Sequence, residues 1–167
     1  LFALSEYIYH HPEIAYDEYQ ACAALVKILS EHGFEMEERA GGLDTAFVAA
    51  ACPTGIPYPR IDILAEYDAL GVGDSFGPDV SVAHACGHNI IATPAVGAGI
   101  SLKEVMERYK LPGTLRVVGT PAEESSGGKI VMQKAGVFDG TDAMLLLHPT
   151  SGVSKIAGNC RSSYKFK

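Results

Sequence analysis

Apolar and polar residues follow one another along this 167-residue chain in a pattern that predicts strands and helices in alternation. Between residues 17 and 32, apolar positions such as Leu25 and Leu29 recur at helical spacing, and Gly33 follows as a helix stop. Short apolar or β-branched runs bounded by Pro, Gly or Asp predict strands. The predicted helices cover residues 1–11, 17–32, 89–109 and 129–135, and the predicted strands cover residues 34–39, 46–52, 60–65, 114–118 and 143–147, with a loop over 66–83. This alternation predicts an α/β domain with a largely parallel sheet.

Polar side chains follow three of the predicted strands at the point where each strand ends. These residues are Glu66 and Asp68 after the strand 60–65, Glu123 and Glu124 after the strand 114–118, and His148 after the strand 143–147. Functional groups gather at the carboxyl ends of the strands in such sheets, so we expect these side chains to converge. Cys86 and His88 precede a helix whose first half is small and apolar, and from this loop they can reach the same edge.

The segment Cys86-Gly87-His88 carries the most specific chemical signal. A thiolate and an imidazole separated by one residue can face one metal ion if the backbone turns tightly, and Gly87 permits that turn. Two other interpretations stay open at this point. One is a buried cysteine beside a helix-capping histidine, and the other is a cysteine nucleophile with a base elsewhere in the fold.

Glu123 and Glu124 are adjacent carboxylates whose side chains diverge, so they do not readily share one ion. They can divide the work, with one binding metal while the other transfers protons. The alternative is an acidic helix start stabilised by the helix dipole. His148 is either a further ligand or a polar residue that ends a buried strand. The Cys86 and His88 pair favours the metal interpretation for Glu123 and Glu124, and the position at the same sheet edge favours it for His148.

The remaining polar residues of interest carry less specific signals. Asp68 is either a metal ligand or, as we prefer, the acceptor of a hydrogen bond from a ligating imidazole. His84 is a weaker candidate for a ligand or an orienting group. His10, His11 and Glu13 have the side chains of ligands, but their position at the end of an N-terminal helix fits a capping or packing role at least as well.

Composition narrows the classes of partner. The net charge of −7 leaves no basic patch to neutralise phosphates, which argues against a nucleic-acid partner. Lys and Arg are scattered, which argues against an anionic membrane surface, and no apolar run is long enough to span a bilayer. The four cysteines form no CxxC pair, and we expect reduced thiols in a cytoplasmic protein.

Five short motifs occur in the order seen in the M20 metallopeptidases. They are His11-Pro-Glu13, Ala65-Glu-Tyr-Asp-Ala-Leu70, His84-Ala-Cys-Gly-His-Asn89, Pro121-Ala-Glu-Glu124 and Leu147-His148. The chain therefore resembles the amidohydrolase branch of that family, and within it the subgroup of aminobenzoyl-glutamate hydrolase-like and dipeptidase-like enzymes. The resemblance implies a three-layer α/β/α zinc-exopeptidase-like domain with a mostly parallel mixed sheet, present here incompletely.

The resemblance also implies roles for individual residues. The residues that match metal ligands are Cys86, His88, Glu124 and His148, and Glu123 matches the general base. Asp68 matches the catalytic aspartate of a His-x-Asp motif whose histidine is replaced here by Glu66. Asn89 stands where many relatives have aspartate. The implied cofactor is one or two divalent metal ions, with zinc suited to the thiolate and imidazole ligands and manganese or cobalt also compatible.

Family members are longer than this chain. The resemblance implies that residues 1–161 are the N-terminal portion of the metallopeptidase catalytic domain and that residues 162–167 begin a lid or dimerisation domain. The expected reaction is hydrolysis of the amide bond of an N-acyl amino acid or a dipeptide. The rest of such an enzyme supplies a last metal-binding histidine and groups that bind substrate. We therefore expect little activity from these residues alone and a homodimer from the full-length protein. The alternative is a non-catalytic chain that serves as a binding or scaffold protein.

Overall fold

The computed structural model describes residues 1–72, 81–125 and 127–149. The helices are α1 (Phe2–His10), α2 (Tyr19–Glu31), α3 (Asn89–Tyr109) and α4 (Gly128–Lys134), with a short 3-10 turn at Ala40–Gly42. The strands are β1 (Glu35–Glu38), β2 (Phe47–Ala51), β3 (Arg60–Ala65), β4 (Leu70–Val72), β5 (Ser81–Ala83), β6 (Thr114–Gly119) and β7 (Ala143–Leu145). Strands and helices alternate as the apolar pattern predicts over most of the chain.

One mixed sheet contains five of these strands in the order β1-β2-β6-β3-β7. β3 pairs in parallel with β6 on one side and with β7 on the other, whereas β2 pairs antiparallel with both β1 and β6. Within this sheet, β1, β6, β3 and β7 therefore run in one direction and β2 runs against them. The expected mostly parallel mixed sheet is confirmed, and the carboxyl ends of β3, β6 and β7 share one edge.

Helices cover both faces of this sheet. On one face, α2 and α3 pack against the strands and α1 packs on these two helices, through a core that includes Leu25, Val96 and Val117. On the other face, Met132 of α4 and the 3-10 turn pack against Val48 and its neighbours. Because successive residues of a strand face opposite ways, strands buried on both faces have continuous apolar sequences. The predicted three-layer α/β/α architecture is confirmed.

The long helix α3 has the bounds that the sequence predicts. Its first half is buried through Ile91, Ala92, Ala95 and Val96, as its run of small apolar residues suggests. Among the helices of the described residues, none combines the length and the hydropathy needed to cross a bilayer.

The segment between β3 and α3 differs from its prediction as a loop. β4 and β5 pair antiparallel and form a separate two-stranded sheet. Each strand has three residues, too few for an alternating pattern to show, and Gly71 weakens the signal further. β7 also ends at Leu145, two residues before its predicted end. The strand predicted over residues 162–167, and with it the start of the lid domain, lies outside the described residues.

A buried ion pair links the two central strands. Asp62 of β3 and Arg116 of β6 are partners in the parallel register. The guanidinium donates to both carboxylate oxygens, with Nε–Oδ1 and Nη2–Oδ2 distances of 2.7 and 2.5 Å. Nη1 of Arg116 also donates to the carbonyl oxygen of Val137, and the hydroxyl of Thr141 donates to Asp62. The pair thereby ties the segment after α4 to the sheet.

Replacing Asp62 by Ala should lower the free energy of unfolding by about 3–5 kcal/mol, because Arg116 keeps a buried charge without its partner. Denaturant titration followed by circular dichroism measures this loss. The double variant Asp62→Leu with Arg116→Met should recover most of it, since the uncompensated charge is then gone. The control is Asp44→Ala, which removes an exposed ion pair with Arg39 and should cost less than about 1 kcal/mol. A double variant as unstable as the single one would contradict this account.

Candidate metal centre

The residues that follow β3 form the base of the site. Glu66, Tyr67 and Asp68 come directly after the strand, and all three are buried. Tyr67 belongs to the core on the α1–α3 face, where its hydroxyl donates a hydrogen bond to the carbonyl oxygen of Thr45. This contact fixes the backbone between Glu66 and Asp68. Glu66 and Asp68, on either side of Tyr67, both approach the imidazole of His88.

Asp68 connects three segments of the chain. Its Oδ1 atom lies 2.7 Å from Nδ1 of His88, and its Oδ2 atom accepts a hydrogen bond of 2.9 Å from the backbone N–H of Glu124. Burial opposes ionisation of this carboxyl, but the hydrogen bonds from His88 and Glu124 outweigh it, so the pKa of Asp68 is lowered. With a proton on Nδ1 shared with Asp68, the lone pair of His88 Nε2 is available to an ion. The geometry supports the orienting role that we prefer for Asp68.

Carboxylate oxygens of three glutamates lie near Nε2, on the other side of the His88 ring. Oε2 of Glu66 and Oε1 of Glu124 each lie 3.5 Å from Nε2 of His88, and Oε2 of Glu123 lies 3.9 Å away. Nε2 of His88, Oε2 of Glu66 and Oε1 of Glu124 have no hydrogen-bond partner among the described residues. Buried acceptors are almost always paired, and acceptors that face one another without a donor suit a cation. The residues present therefore fit the implied divalent ion.

Cys86 and His148 extend the site on the thiol side. Sγ of Cys86 lies 3.5 Å from Nε2 of His148, and the rings of His88 and His148 meet edge to face with centroids 5.9 Å apart. Gly87 has a φ of +81°, so the tight turn that the sequence predicts does occur. One ligand atom from each of Cys86, His88 and His148 lies within 4.8 Å of the others, and the same holds for His88, Glu123 and Glu124. The structure thus brings together the five residues that the sequence favours as ligands or base, which are Cys86, His88, Glu123, Glu124 and His148.

The environment of Cys86 raises the pKa of its thiol. Burial raises the pKa of Cys86 to about 11, and the neighbouring carboxylate of Glu124 adds to the shift. A nucleophilic cysteine needs the opposite, an electropositive setting that stabilises its thiolate. A bound cation deprotonates a coordinating thiol, so the same surroundings are compatible with a ligand.

Glu123 and Glu124 differ in exposure although they are neighbours. The side chain of Glu124 is 15% exposed and that of Glu123 is 41% exposed. Burial raises the pKa of Glu123, and the negative charge of Glu66 raises it further. The arrangement leaves Glu124 inside the cluster and Glu123 at its rim, where a substrate or a water molecule can reach the carboxylate.

The weaker histidine candidates do not join the cluster. His84 is buried but contributes to neither of the two sets of converging ligand atoms found in the described part of the chain. Burial lowers the pKa of His84. His10 is exposed beside Glu6, and His11 stacks on Tyr7 at the end of α1.

Glu13 caps the start of α2 although it lies several residues before the helix in the sequence. Its carboxylate accepts hydrogen bonds from the backbone N–H groups of Gln20 and Ala21 in the first turn of that helix, at 2.9–3.0 Å. Its carbonyl oxygen also accepts from the N–H of Ala69, one residue beyond Asp68. The sequence suggested a capping or packing role at the end of the N-terminal helix, whereas Glu13 caps the start of the next helix, α2.

Glu18 is a residue of the site's surroundings that the sequence patterns do not identify. Its carboxylate is fully buried and accepts hydrogen bonds of 2.8 Å from the Thr45 hydroxyl and from the backbone N–H of Ala122. Ala122 has a φ of +58°, which is uncommon for a residue with a side chain, and it directly precedes Glu123. Glu18 thus holds the backbone from which both site glutamates project. Its partners lie 27 and 104 residues away, so no local pattern could reveal the contact.

Known proteins match most of this chain. Residues 62–161 match the peptidase family M20/M25/M40. A subunit of the p-aminobenzoyl-glutamate hydrolase of Escherichia coli (strain K12) is 35% identical over 176 residues, which covers 98% of this chain and 36% of that protein. The Xaa-Arg dipeptidase of Mus musculus is 38% identical over 164 residues, which covers 90% of this chain and 35% of that protein. The chain therefore spans about a third of the length of these relatives.

Solved structures share the fold. The YXEP protein of Bacillus subtilis, described as a dinuclear metal binding peptidase from the M20 family, superposes with a TM-score of 0.73 at 26% identity. That match covers 86% of this chain and 40% of the solved chain. The aminobenzoyl-glutamate utilization protein from Klebsiella pneumoniae superposes with a TM-score of 0.62 at 22% identity, over 86% of this chain and 41% of its own, and supports the fold alone.

Replacing Asp68 by Asn should weaken binding of a divalent ion about 10- to 100-fold, because the imidazole of His88 loses the carboxylate that orients it and raises its basicity. Competition with a chromophoric chelator measures the dissociation constant. The exposed Asp44→Asn variant is the matched control and should bind the ion as the wild type does. Equal affinity in the Asp68 and Asp44 variants would remove the orienting role.

Replacing Glu18 by Gln should change how stability depends on pH. Burial raises the pKa of Glu18 above its usual 4.5, so its contribution to stability is complete below that value and declines as the pH rises through the folded-state pKa. The unfolding free energy of the wild type minus that of Glu18→Gln should therefore fall as the pH rises above about 4.5. Denaturant titrations at a series of pH values measure it. A difference that grows with pH contradicts the raised pKa.

Proposed function

Because the chain belongs to the peptidase family M20/M25/M40, we propose that it carries most of the metal centre of a metal-dependent hydrolase that cleaves amide bonds. The observation that carries the proposal is the convergence of unpaired, buried ligand atoms on Nε2 of His88, with a second carboxylate, Glu123, at the rim. A structural metal site needs ligands but no additional base. The arrangement of a buried glutamate beside a more exposed one therefore favours catalysis over a purely structural ion.

The proposed substrate is an N-acyl amino acid or a dipeptide. The similar proteins from Escherichia coli and Mus musculus are named for aminobenzoyl-glutamate and for Xaa-Arg dipeptides. Both names describe an amide bond to the nitrogen of an amino acid. Since the chain spans about a third of these relatives, the groups that choose between such substrates are proposed to lie in the rest of the full-length enzyme.

The residues of this chain divide the proposed chemistry among them. Cys86, His88, Glu124 and His148 would hold one or two divalent ions, with zinc the best match to a thiolate and imidazoles. When bound, such an ion polarises a carbonyl group and makes a water molecule acidic. Asp68 orients His88. Glu123 accepts the proton of the attacking water and returns it to the departing amine. The full-length enzyme is proposed to be a cytoplasmic homodimer.

Replacing Glu123 by Gln in the full-length enzyme should reduce kcat at least about 100-fold, because the amide cannot accept a proton. The bound metal content, measured by atomic emission spectroscopy, should stay at the wild-type level. Glu124→Gln is the matched comparison and should lose metal as well as activity. Unchanged turnover in the Glu123 variant would refute its assignment as the base.

A chelator separates this mechanism from a thiol enzyme that uses Cys86. Under the proposed function, a chelator abolishes hydrolysis of a dipeptide and added zinc, manganese or cobalt restores it. A cysteine nucleophile would keep its activity without metal and lose it to a thiol-alkylating reagent, whatever metal is added afterwards.

A further inference from the structure

We propose that Glu66 is a further ligand of the ion bound at His88, and that Lys129 is the residue that positions it. The proposal rests on the proposed metal centre and names a group that neither the motif resemblance nor the sequence chemistry assigns to the ion. Two observations carry the proposal. Oε2 of Glu66 has no hydrogen-bond partner in the described part of the chain, and Oε1 is paired with Lys129.

The two carboxylate oxygens of Glu66 have different surroundings. Its side chain is 2% exposed, and it projects from the segment directly after β3. Oε1 forms a short ion pair with the ammonium group of Lys129. Oε2 has no hydrogen-bond partner in the described part of the chain and lies 3.5 Å from Nε2 of His88. One oxygen is therefore committed to Lys129, while the other is free and faces a free nitrogen.

The 3.5 Å separation between Glu66 and His88 argues for an ion rather than a hydrogen bond. The N–O distance of a protein hydrogen bond is normally about 2.7–3.2 Å, and neither atom has such a partner among the described residues. Two donors that each lie about 2.1 Å from a shared tetrahedral ion are about 3.4 Å apart. Glu124 has the same 3.5 Å separation from Nε2. Its oxygen belongs with His88 and Glu123 to a set of ligand atoms within 4.8 Å of one another, whereas Glu66 belongs to neither such set of the described residues. The distance to Nε2 is therefore what places Glu66 within reach of an ion bound at His88.

Lys129 reaches Glu66 because α4 begins close to the loop that carries Glu123 and Glu124. A Cβ atom on Gly128 would lie 2.0 Å from the carbonyl oxygen of Pro121, so only glycine fits at this point. The N–H of Gly128 also donates to the carbonyl oxygen of Ala122. This close approach places the next residue, Lys129, over the carboxylate of Glu66.

The ion pair has two consequences for the site. It selects the side-chain conformation of Glu66 in which Oε2 faces His88. It also neutralises one of three neighbouring carboxylates, so that Glu66, Glu123 and Glu124 can stay close together. The alternative role for Glu66 is to pair with Lys129 alone and leave the ion to the other ligands.

The test compares variants of the metal-loaded, full-length protein with cobalt(II) as the probe. Glu66→Gln should weaken cobalt binding at least about tenfold and change the visible absorption bands, because an anionic oxygen leaves the coordination sphere. Glu66→Asp keeps the charge but withdraws the oxygen by one methylene, and it should show the same changes. Lys129→Met should weaken binding less and keep the absorption bands of the wild type. Exposed Glu104→Gln is the matched control and should behave as the wild type does.

The outcomes separate this inference from the proposed function. If both Glu66 variants bind cobalt with wild-type affinity and spectrum, Glu66 is only a partner of Lys129 and the inference is wrong. If Cys86→Ala and His88→Ala also bind cobalt normally, the metal centre itself is wrong. Circular dichroism of each variant confirms that it is folded. If Glu66→Gln is unfolded, Glu66→Asp and the neutral pair Glu66→Gln with Lys129→Gln decide the question.

Discussion

The carboxylate of Asp68 is the contact on which the rest of the site depends. It joins the segment after β3 to the imidazole at the start of α3 and to the backbone of the loop after β6. Each of these segments carries at least one other group of the cluster: Glu66, Cys86 and Glu124. Because both oxygens of Asp68 are occupied by the protein, in the proposed metal centre this residue would orient the ligands of an ion and not bind the ion itself.

The segment between α1 and α2 also fixes the geometry of the site, from outside the cluster. Glu13 caps α2 and holds the backbone after Asp68, while Glu18 holds Ala122 in a left-handed conformation just before Glu123. A left-handed alanine persists only where the surrounding contacts compensate its strain. The segment between α1 and α2 therefore contributes to the geometry of the site although it contributes no atom to either ligand set of the described residues.

Much of the fold and most of the cluster were predictable because they depend on short-range signals. Apolar periodicity located α3 and the central strands, and the rule that strand carboxyl ends converge placed Asp68, Glu124 and His148 at one edge. The missed features either are too short to show a pattern or depend on partners distant in the sequence. β4 and β5 are too short to show a pattern, and Asp62 lies in a strand that looks apolar, where only Arg116 makes its burial possible. Glu18 likewise has its partners elsewhere in the chain.

The balance of charge explains why these residues belong together. Glu66, Glu123 and Glu124 surround one imidazole, and Asp68 lies behind it, while Lys129 is the cation that pairs with this group in the described part of the chain. Buried like charges destabilise one another unless protons or cations neutralise them. Protonation of Glu123 would remove the base that the proposed hydrolysis requires. In the proposed metal centre, a divalent ion would instead neutralise the inner carboxylates and leave Glu123, at the exposed rim, free to accept a proton.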